Sequence, residues 1–351
     1  MDLPAGTASR RARTSRHDTP YLEGGNPEGG PIVFIHGNLA TGRFYEHLFE
    51  ALGDYRLIAP DMRGFGDSEA APMDATRGIR DWADDARALV EHLGIKGKVH
   101  LVGWSTGGAA IANYATDHPD EVASITFIDP VSPFGFGGTR DRTGTPTSED
   151  FAGSGGGTAA PEFVERLGAG DRTAEADLSP LNVMRGFYWS PNHTMDPDHE
   201  SMLLGEILKS TIGDGGYPGD FTPSDSWPNV APGVSGILNG LSGKYCRWDD
   251  IVGLAAKPPI LWTHGTDDLV VSNKSFFEMG TLGEMGAVPG WPGLDVFPPQ
   301  PMVDQIDYIL DEYAAAGGTV TKVMFEGSGH GPIFDARDAW LEAFKSFLAG
   351  T

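Results

Sequence analysis

The most informative stretch of the sequence is Val102-Gly103-Trp104-Ser105-Thr106-Gly107-Gly108. A short, mostly apolar segment (99–102) precedes the turn, and an alanine-rich, helix-prone segment (109–115) follows it. The pattern predicts a strand, a sharp turn that carries a serine, and a helix. A serine in such a turn has a strained backbone, and the glycines two residues away on either side prevent collisions between strand and helix. The helix N-terminus also offers free backbone N–H groups that can stabilise an oxyanion.

Gly-x-Ser-x-Gly alone is weak evidence for a catalytic serine, because an ordinary strand-to-helix turn can have the same residues. Three further motifs strengthen it, since each lies within a few residues after a segment that is predicted to be a strand. They are His36-Gly37-Asn38 after 31–35, Gly265-Thr266-Asp267-Asp268 after 259–264, and Gly329-His330-Gly331-Pro332 after 319–325. The candidate nucleophile, acid and base therefore occur in the chain order Ser, Asp, His.

These four motifs, in this order, resemble those of the single-cap α/β-hydrolase superfamily. The resemblance covers about residues 20–130 and 258–351 and implies an α/β fold. We expect a doubly wound, mostly parallel sheet with a large, mainly helical cap inserted after the sixth strand. The predicted organisation is a disordered tail (1–18), the first part of the core (19–130), the cap (131–257) and the second part of the core (258–351).

The composition of each segment supports these boundaries. Strand and helix patterns alternate up to residue 130, and the apolar residues between 79 and 93 follow helical spacing. Between 131 and 257 this alternation stops, and glycine, proline and aromatic residues become frequent. The first 18 residues carry four arginines without an apolar segment behind them, which is typical of a flexible tail and not of a secretory signal.

The resemblance assigns a role to each candidate catalytic residue. Ser105 is the expected nucleophile, and His330 is the base that takes its proton. Asp268 is the expected acid that orients the imidazole. Asp129 is the alternative acid, because some hydrolase families place their acid at the end of the preceding strand.

The resemblance also implies an oxyanion hole, built from the backbone N–H groups of Asn38 and Thr106, with Leu39 as the alternative to Asn38. We expect His36 to hold this loop in place without taking part in the chemistry. The segment around Asp61 and Arg63 is likewise expected to be structural.

Composition excludes several other classes of protein. The chain has 351 residues, with 25 Lys and Arg against 49 Asp and Glu, so its net charge of −24 disfavours nucleic acid and anionic membranes as partners. The single cysteine, Cys246, cannot form an intramolecular disulfide, which suits a reducing compartment, and we expect a cytoplasmic protein.

Metal-binding and nucleotide-binding signatures are missing from the sequence, so no metal and no cofactor is expected. A homodimer is compatible with the aromatic-rich cap.

The aromatic residues of the predicted cap indicate a bulky, apolar or aromatic ester or lactone as the small-molecule substrate. The residues expected to bind it are Trp104, Phe134, Tyr188, Trp189 and Trp227. Segments 37–49 and 127–140 resemble bacterial lactonases that open the macrolactone zearalenone. Two alternatives share the same fold: a cofactor-free C–C bond hydrolase or perhydrolase that uses the same triad, and a ligand-binding receptor that turns over slowly or not at all.

Overall fold

The computed structural model describes residues 3–351 and shows that one large sheet organises the chain. The described residues form twelve strands: β1 (Ala8–Arg13), β2 (Asp18–Gly25), β3 (Pro31–Ile35), β4 (Arg56–Pro60), β5 (Val99–Trp104), β6 (Val122–Ile128), β7 (Ile212–Gly213), β8 (Tyr217–Pro218), β9 (Phe221–Pro223), β10 (Val230–Pro232), β11 (Ile260–Gly265) and β12 (Val320–Phe325). Eight of them make the central sheet, in the order β1-β2-β4-β3-β5-β6-β11-β12.

Helices flank this sheet and fill the segment between β6 and β11. The α-helices are α1 (Arg80–His92), α2 (Thr106–Asp117), α3 (Pro161–Gly168), α4 (Pro180–Phe187), α5 (Pro197–Ile207), α6 (Ile237–Leu241), α7 (Met279–Glu284), α8 (Met302–Ala315), α9 (Pro332–Asp335) and α10 (Arg337–Ala349). Short 3-10 helices occur at Gly42–Leu48, Glu50–Leu52, Ala75–Arg77, Pro119–Glu121, Gly156–Thr158 and Asp249–Gly253. Within residues 3–351, no helix combines the length and the apolarity that crossing a bilayer requires.

The strand order places a topological switch point beside the predicted nucleophile. The chain runs from β3 outward to β4 and then returns to β5 on the other side of β3, and all three strands are parallel. Ile35 and Gly103 are paired near the carboxyl ends of β3 and β5. Ligands of open α/β sheets bind in the crevice at this kind of position. The sheet therefore brings the His36 loop and Ser105 to one place.

The predicted fold class is confirmed. Within the central sheet, pairing is parallel from β4 to β12, and the pairs that β1 and β2 make are antiparallel. The long excursion of the chain begins after β6, the sixth strand, and returns at β11. It contains α3 to α6, the short strands β7 to β10 and long turns.

The expectation of a disordered tail over 1–18 is wrong for the residues that the structure describes, and residues 1–2 lie outside them. β1 pairs in antiparallel register with β2 along its whole length. Arg16 then bonds to Asp81 and Asp85 of α1, at 2.9 and 2.5 Å. The arginines that suggested a flexible tail are ordered by carboxylates, several of which lie 50 or more residues further along the chain.

Candidate active site

The backbone around Ser105 forms the strained turn that the motif predicts. Ser105 has φ 54° and ψ −117°, which lies outside the φ/ψ regions that residues other than glycine normally adopt. A Cβ atom on Gly103 would lie 2.4 Å from the carbonyl oxygen of Gly107, and one on Gly107 would lie 2.0 Å from that of Ile35. Both positions therefore require glycine, because the strand, the turn and the helix approach too closely for a side chain.

The imidazole of His330 lies against the carboxylate of Asp268. His330 Nδ1 is 2.8 Å from Asp268 Oδ2, and the other carboxylate oxygen accepts the N–H groups of Val270 and Val271 at 2.7 and 3.1 Å. Because an ionised carboxylate only accepts, Nδ1 carries the proton and Nε2 is free to act as a base. His330 and Ser105 line the same cavity, so the structure brings the three predicted residues together.

The alternative acid, Asp129, lies behind Asp268. One of its oxygens accepts the N–H of Gly265 at 2.8 Å, and its side chain is fully buried. Burial and the nearby Asp268 raise the pKa of Asp129 well above its usual value. Among the described residues, the group of Asp129, Asp268 and His330 has three possible metal-ligand atoms within 4.8 Å of one another. Because Nδ1 of His330 is engaged with Asp268, this geometry fits a catalytic acid–base pair better than a metal site.

Three candidate oxyanion donors lie around Ser105. Asn38, Leu39 and Thr106 line the same cavity, and Thr106 is the first residue of α2. Within residues 3–351, none of their backbone N–H groups has a protein acceptor. The hydroxyl of Tyr188 donates to the carbonyl oxygen of Leu39 at 3.1 Å, so the segment between β6 and β11 helps to hold this loop. Asn38 and Leu39 both remain candidates for the second donor.

His36 is built into the loop below the site. Its Nε2 accepts the N–H of Met62 at 2.9 Å, and its Nδ1 donates to the carbonyl of Gly37 at 2.7 Å. Burial lowers its pKa to about 4, so it is neutral at pH 7. Both nitrogens are used, which agrees with a structural role.

Ser105 faces an apolar cavity of about 520 Å³, a size that suits a small organic molecule. The polar groups in its wall come from a few residues, and not one of the lining side chains is Asp, Glu, Lys or Arg. The lining residues are Asn38, Leu39, Trp104, Ser105, Thr106, Val131, Phe136, Gly155, Thr158, Ala159, Ala160, Phe163, Leu178, Val183, Phe187, Tyr188, Tyr217, Leu238, Leu241, Val270, Phe276, Phe277, Leu282, Ala287, Val288 and His330.

Of the five residues expected to bind substrate, Trp104 and Tyr188 line this cavity. Phe134, Trp189 and Trp227 do not, which corrects the expectation that they contact the substrate. Each of the three is used in packing elsewhere, and a pattern of aromatic residues alone does not distinguish packing from substrate binding.

The three misassigned aromatic rings have clear structural partners. The guanidinium of Arg247 lies 4.8 Å from the ring centre of Phe134. Trp189 packs edge-on against Phe334 at 5.9 Å. Trp227 donates to the carbonyl of Pro289 at 2.8 Å and packs against Phe297 at 4.8 Å, so it supports the segment after α7.

Most of the cavity wall comes from residues other than the five that were expected to bind substrate. Phe276, Phe277 and Leu282 follow the acid loop, and Phe163 and Tyr217 come from the segment between β6 and β11. The pair of phenylalanines was a usable signal, because it follows the acid loop within ten residues. The positions of Phe163 and Tyr217 depend on contacts between short elements that have no sequence signature.

Comparison with known proteins identifies the family. Residues 30–276 match the family described as the alpha/beta hydrolase fold. The chain belongs to this family. It therefore shares with other α/β-hydrolases the framework that positions the site.

Curated relatives of this α/β-hydrolase include proteins with different activities. A lipase from Psychrobacter immobilis is 33% identical over 109 residues, which cover 31% of this chain and 34% of the lipase. A 2-hydroxy-6-oxo-6-phenylhexa-2,4-dienoate hydrolase from Comamonas testosteroni is 30% identical over 139 residues, 37% of this chain and 47% of that enzyme. The matches thus span about a third to a half of the length of these relatives.

Solved structures agree with the α/β-hydrolase fold over nearly the whole chain. A serine hydrolase from Cycloclasticus zankles has a TM-score of 0.63 at 17% identity and covers 98% of this chain and 99% of that one. A carboxylesterase from Bacillus subtilis has a TM-score of 0.59 at 14% identity, with coverages of 99% and 94%. At these identities the likeness concerns the fold alone.

Proposed function

We propose that this α/β-hydrolase cleaves carboxylic esters through an acyl-enzyme formed on Ser105. The observation that carries the proposal is the contact between His330 and Asp268, 2.8 Å, beside a serine held in a strained turn at the wall of an apolar cavity. A serine is a weak nucleophile until a base takes its proton, and this arrangement supplies that base.

The reaction follows from the roles of these groups. Ser105 Oγ attacks the ester carbonyl carbon while Nε2 of His330 takes the hydroxyl proton. The oxyanion is stabilised by the N–H of Thr106 and that of Asn38 or Leu39, each worth roughly 3 kcal/mol. His330 returns the proton to the departing alkoxide, and an alcohol leaves. His330 then takes a proton from water, which attacks the acyl-serine, and it returns this proton to Ser105 Oγ as the C–O bond breaks and the acid is released.

The cavity supports an uncharged, largely apolar substrate. None of its lining residues is Asp, Glu, Lys or Arg, so a charged group in the substrate would lose hydration without gaining a partner. Its volume of about 520 Å³ exceeds what a short-chain ester needs, which favours an aromatic or medium-chain acyl or alcohol group.

The same observation favours ester cleavage over the hydrolysis of a dienoate, for which some relatives are named. A hexadienoate substrate carries a carboxylate, which needs a cationic partner when it is buried. The cavity wall provides no arginine or lysine for it. Ester hydrolysis is therefore the better assignment, and a perhydrolase remains a variant of it in which hydrogen peroxide replaces water in the second step.

A lactone is the finer proposal for the substrate. A macrolactone is an uncharged ester with a large apolar ring, and a zearalenone-type ring satisfies both properties of the cavity. Its opening gives one product that keeps both the acid and the alcohol, so the chemistry at Ser105 is unchanged. This proposal rests on the resemblance of segments 37–49 and 127–140 together with the uncharged wall.

The test is hydrolysis of p-nitrophenyl butyrate by the wild type and by Ser105→Ala, with Ser9→Ala as the matched control on the exposed strand β1. We expect a loss of at least about 1,000-fold in kcat for Ser105→Ala and no change for Ser9→Ala. A lactone panel and a dienoate are assayed in parallel, and products are identified by mass spectrometry. Tight binding of the esters without turnover by the wild type would overturn ester hydrolysis in favour of a receptor.

A further inference from the structure

A second carboxyl group lies next to the acid of the triad and is unused by the mechanism above. Asp129 directly follows β6, has φ 40° and is 0% exposed. Its Oδ1 accepts the N–H of Gly265 at 2.8 Å, but its Oδ2 is buried and has no hydrogen-bond donor among residues 3–351. An ionised oxygen in that position would be left without a partner, which is strongly unfavourable.

The charged and titratable groups that face Asp129 do not supply a cation. His264 Nδ1 lies 3.3 Å from its Oδ1, but burial lowers the pKa of His264, so this ring is neutral. Asp268 and Asp335 add negative charge, and His330 is bonded to Asp268. Among the described residues, neither an arginine nor a lysine pairs with Asp129. Two adjacent carboxyl groups without a cation repel each other when both are ionised, so the second ionisation is strongly unfavourable.

We propose that Asp129 is a neutral carboxylic acid whose Oδ2–H donates a hydrogen bond to the carboxylate of Asp268, and that it thereby acts as a positioning residue for the triad. Both residues are buried, and one side-chain atom from each of Asp129, Asp268 and His330 can be chosen so that all three lie within 4.8 Å of one another. The proton satisfies the otherwise unpartnered oxygen and removes the repulsion between the two groups.

The consequence concerns the orientation of His330. Asp268 receives two backbone N–H groups on Oδ1 and His330 on Oδ2, and the proton of Asp129 adds a fourth donor. A carboxylate held by four donors has a fixed plane, and a fixed plane keeps the imidazole aimed at Ser105. The proton of Asp129 also keeps the net charge of the carboxyl pair at −1. The single positive charge of the His330 imidazolium balances it during the reaction.

Asparagine is the informative substitution, because its amide is neutral and can donate to Asp268 but cannot ionise. We expect Asp129→Asn to keep kcat within about 5-fold of the wild type. Asp129→Leu removes the group that donates to Asp268, and we expect it to lower kcat by about 10- to 100-fold. Asp268→Asn is the reference variant and should lose at least about 1,000-fold. These kinetic comparisons rest on the proposed ester hydrolysis.

Two kinetic outcomes would overturn the proposal. If Asp129→Asn loses as much activity as Asp268→Asn, the negative charge of Asp129 is required and Asp129 is not a neutral donor. If Asp129→Leu retains wild-type kcat, the donor has no positioning role. Melting temperatures of all variants are measured alongside to identify loss of folding.

Infrared spectroscopy tests the proton independently of activity. At pH 8 the wild type should show the C=O stretch of a buried, protonated carboxylic acid, and this band should be missing from the spectrum of Asp129→Asn. Equal spectra of the two proteins in that region would overturn the proposal, even if the enzyme cleaves esters. A clear band in a protein without esterase activity would instead refute the proposed function and leave the protonated Asp129 in place.

Discussion

The indole nitrogen of Trp104 donates a hydrogen bond of 2.6 Å to the backbone carbonyl of His330. This bond joins the last residue of β5, directly before the nucleophile, to the loop after β12, although 226 positions separate the two residues in the chain. The two rings also pack with their centres 5.5 Å apart. His330 is therefore held twice, through its side chain by Asp268 and through its backbone by Trp104, so the positions of nucleophile and base depend on each other.

Trp104→Phe should lower kcat by about 10-fold, because it removes the donor and leaves the carbonyl of His330 buried without a partner, at a cost of about 1–3 kcal/mol. Most of the ring packing remains in the phenylalanine variant. Trp82→Phe is the matched control, since the buried Nε1 of Trp82 has no partner among the described residues and no hydrogen bond is lost. Steady-state kinetics and thermal melts of both variants test this prediction, and equal losses of kcat would contradict it.

Gly107→Ala should prevent stable folding. The new Cβ would lie 2.0 Å from the carbonyl oxygen of Ile35, and neither backbone can move without disturbing the paired strands β3 and β5. We expect a loss of more than about 4 kcal/mol in the free energy of unfolding. Gly186→Ala in α4 is the control, because a Cβ there meets nothing within 4 Å and alanine favours a helix. Urea denaturation should show the control to be at least as stable as the wild type.

The structure brings the three triad candidates of the sequence together, whereas only two of the five expected substrate-binding residues line the cavity. Ser105, Asp268 and His330 each follow a strand, and parallel strands of one sheet bring their carboxyl ends to one edge, so motif and position agree. The cavity wall follows no such rule. Tyr217 reaches it from a two-residue strand and Phe163 from a short helix, and both positions are set by contacts among distant segments.

The prediction of a disordered N-terminal tail was wrong for a related reason. Four arginines within 18 residues indicate a solvated tail only while their partners are unknown. The carboxylates that order Arg16 belong to α1, more than 60 residues away. Local composition carries no information about such pairs.

Arg16→Ala should lower the free energy of unfolding by about 2 kcal/mol, whereas Arg10→Ala should lower it by less than about 1 kcal/mol. The difference follows from burial. The Arg10 side chain is 56% exposed in its pair with Glu23, whereas Arg16 bonds to the carboxylate of Asp85, which is 1% exposed. Urea denaturation of both variants distinguishes the two arginines, and equal small effects would restore the interpretation of this segment as a loosely attached tail.

Tyr217→Phe should reduce kcat/KM about 10-fold for esters with a ketone or ether oxygen in the acyl group and leave hydrocarbon acyl esters unchanged. Tyr217 lines the cavity, its hydroxyl has no protein partner within residues 3–351, and burial raises its pKa, so it remains a neutral donor. Tyr308→Phe, outside the cavity wall, is the control. The prediction is checked with pairs of acyl esters that differ by one oxygen atom, and an equal loss for both members would refute a role in recognition.

Acid should destabilise the protein through His36. Its pKa is lowered from 6.5 to about 4 in the folded state, so between these values the unfolded chain binds a proton that the folded chain does not. The stabilisation is complete above pH 6.5 and is lost as the pH falls toward 4, by about 3 kcal/mol. The cause is local, since a proton on Nε2 would displace the N–H of Met62 from its acceptor. Urea denaturation between pH 4 and 8 should show this fall in the free energy of unfolding. His36→Gln should be less stable at pH 8, and its free energy of unfolding should change less with pH. A variant that keeps the full slope would assign the acid sensitivity to other groups.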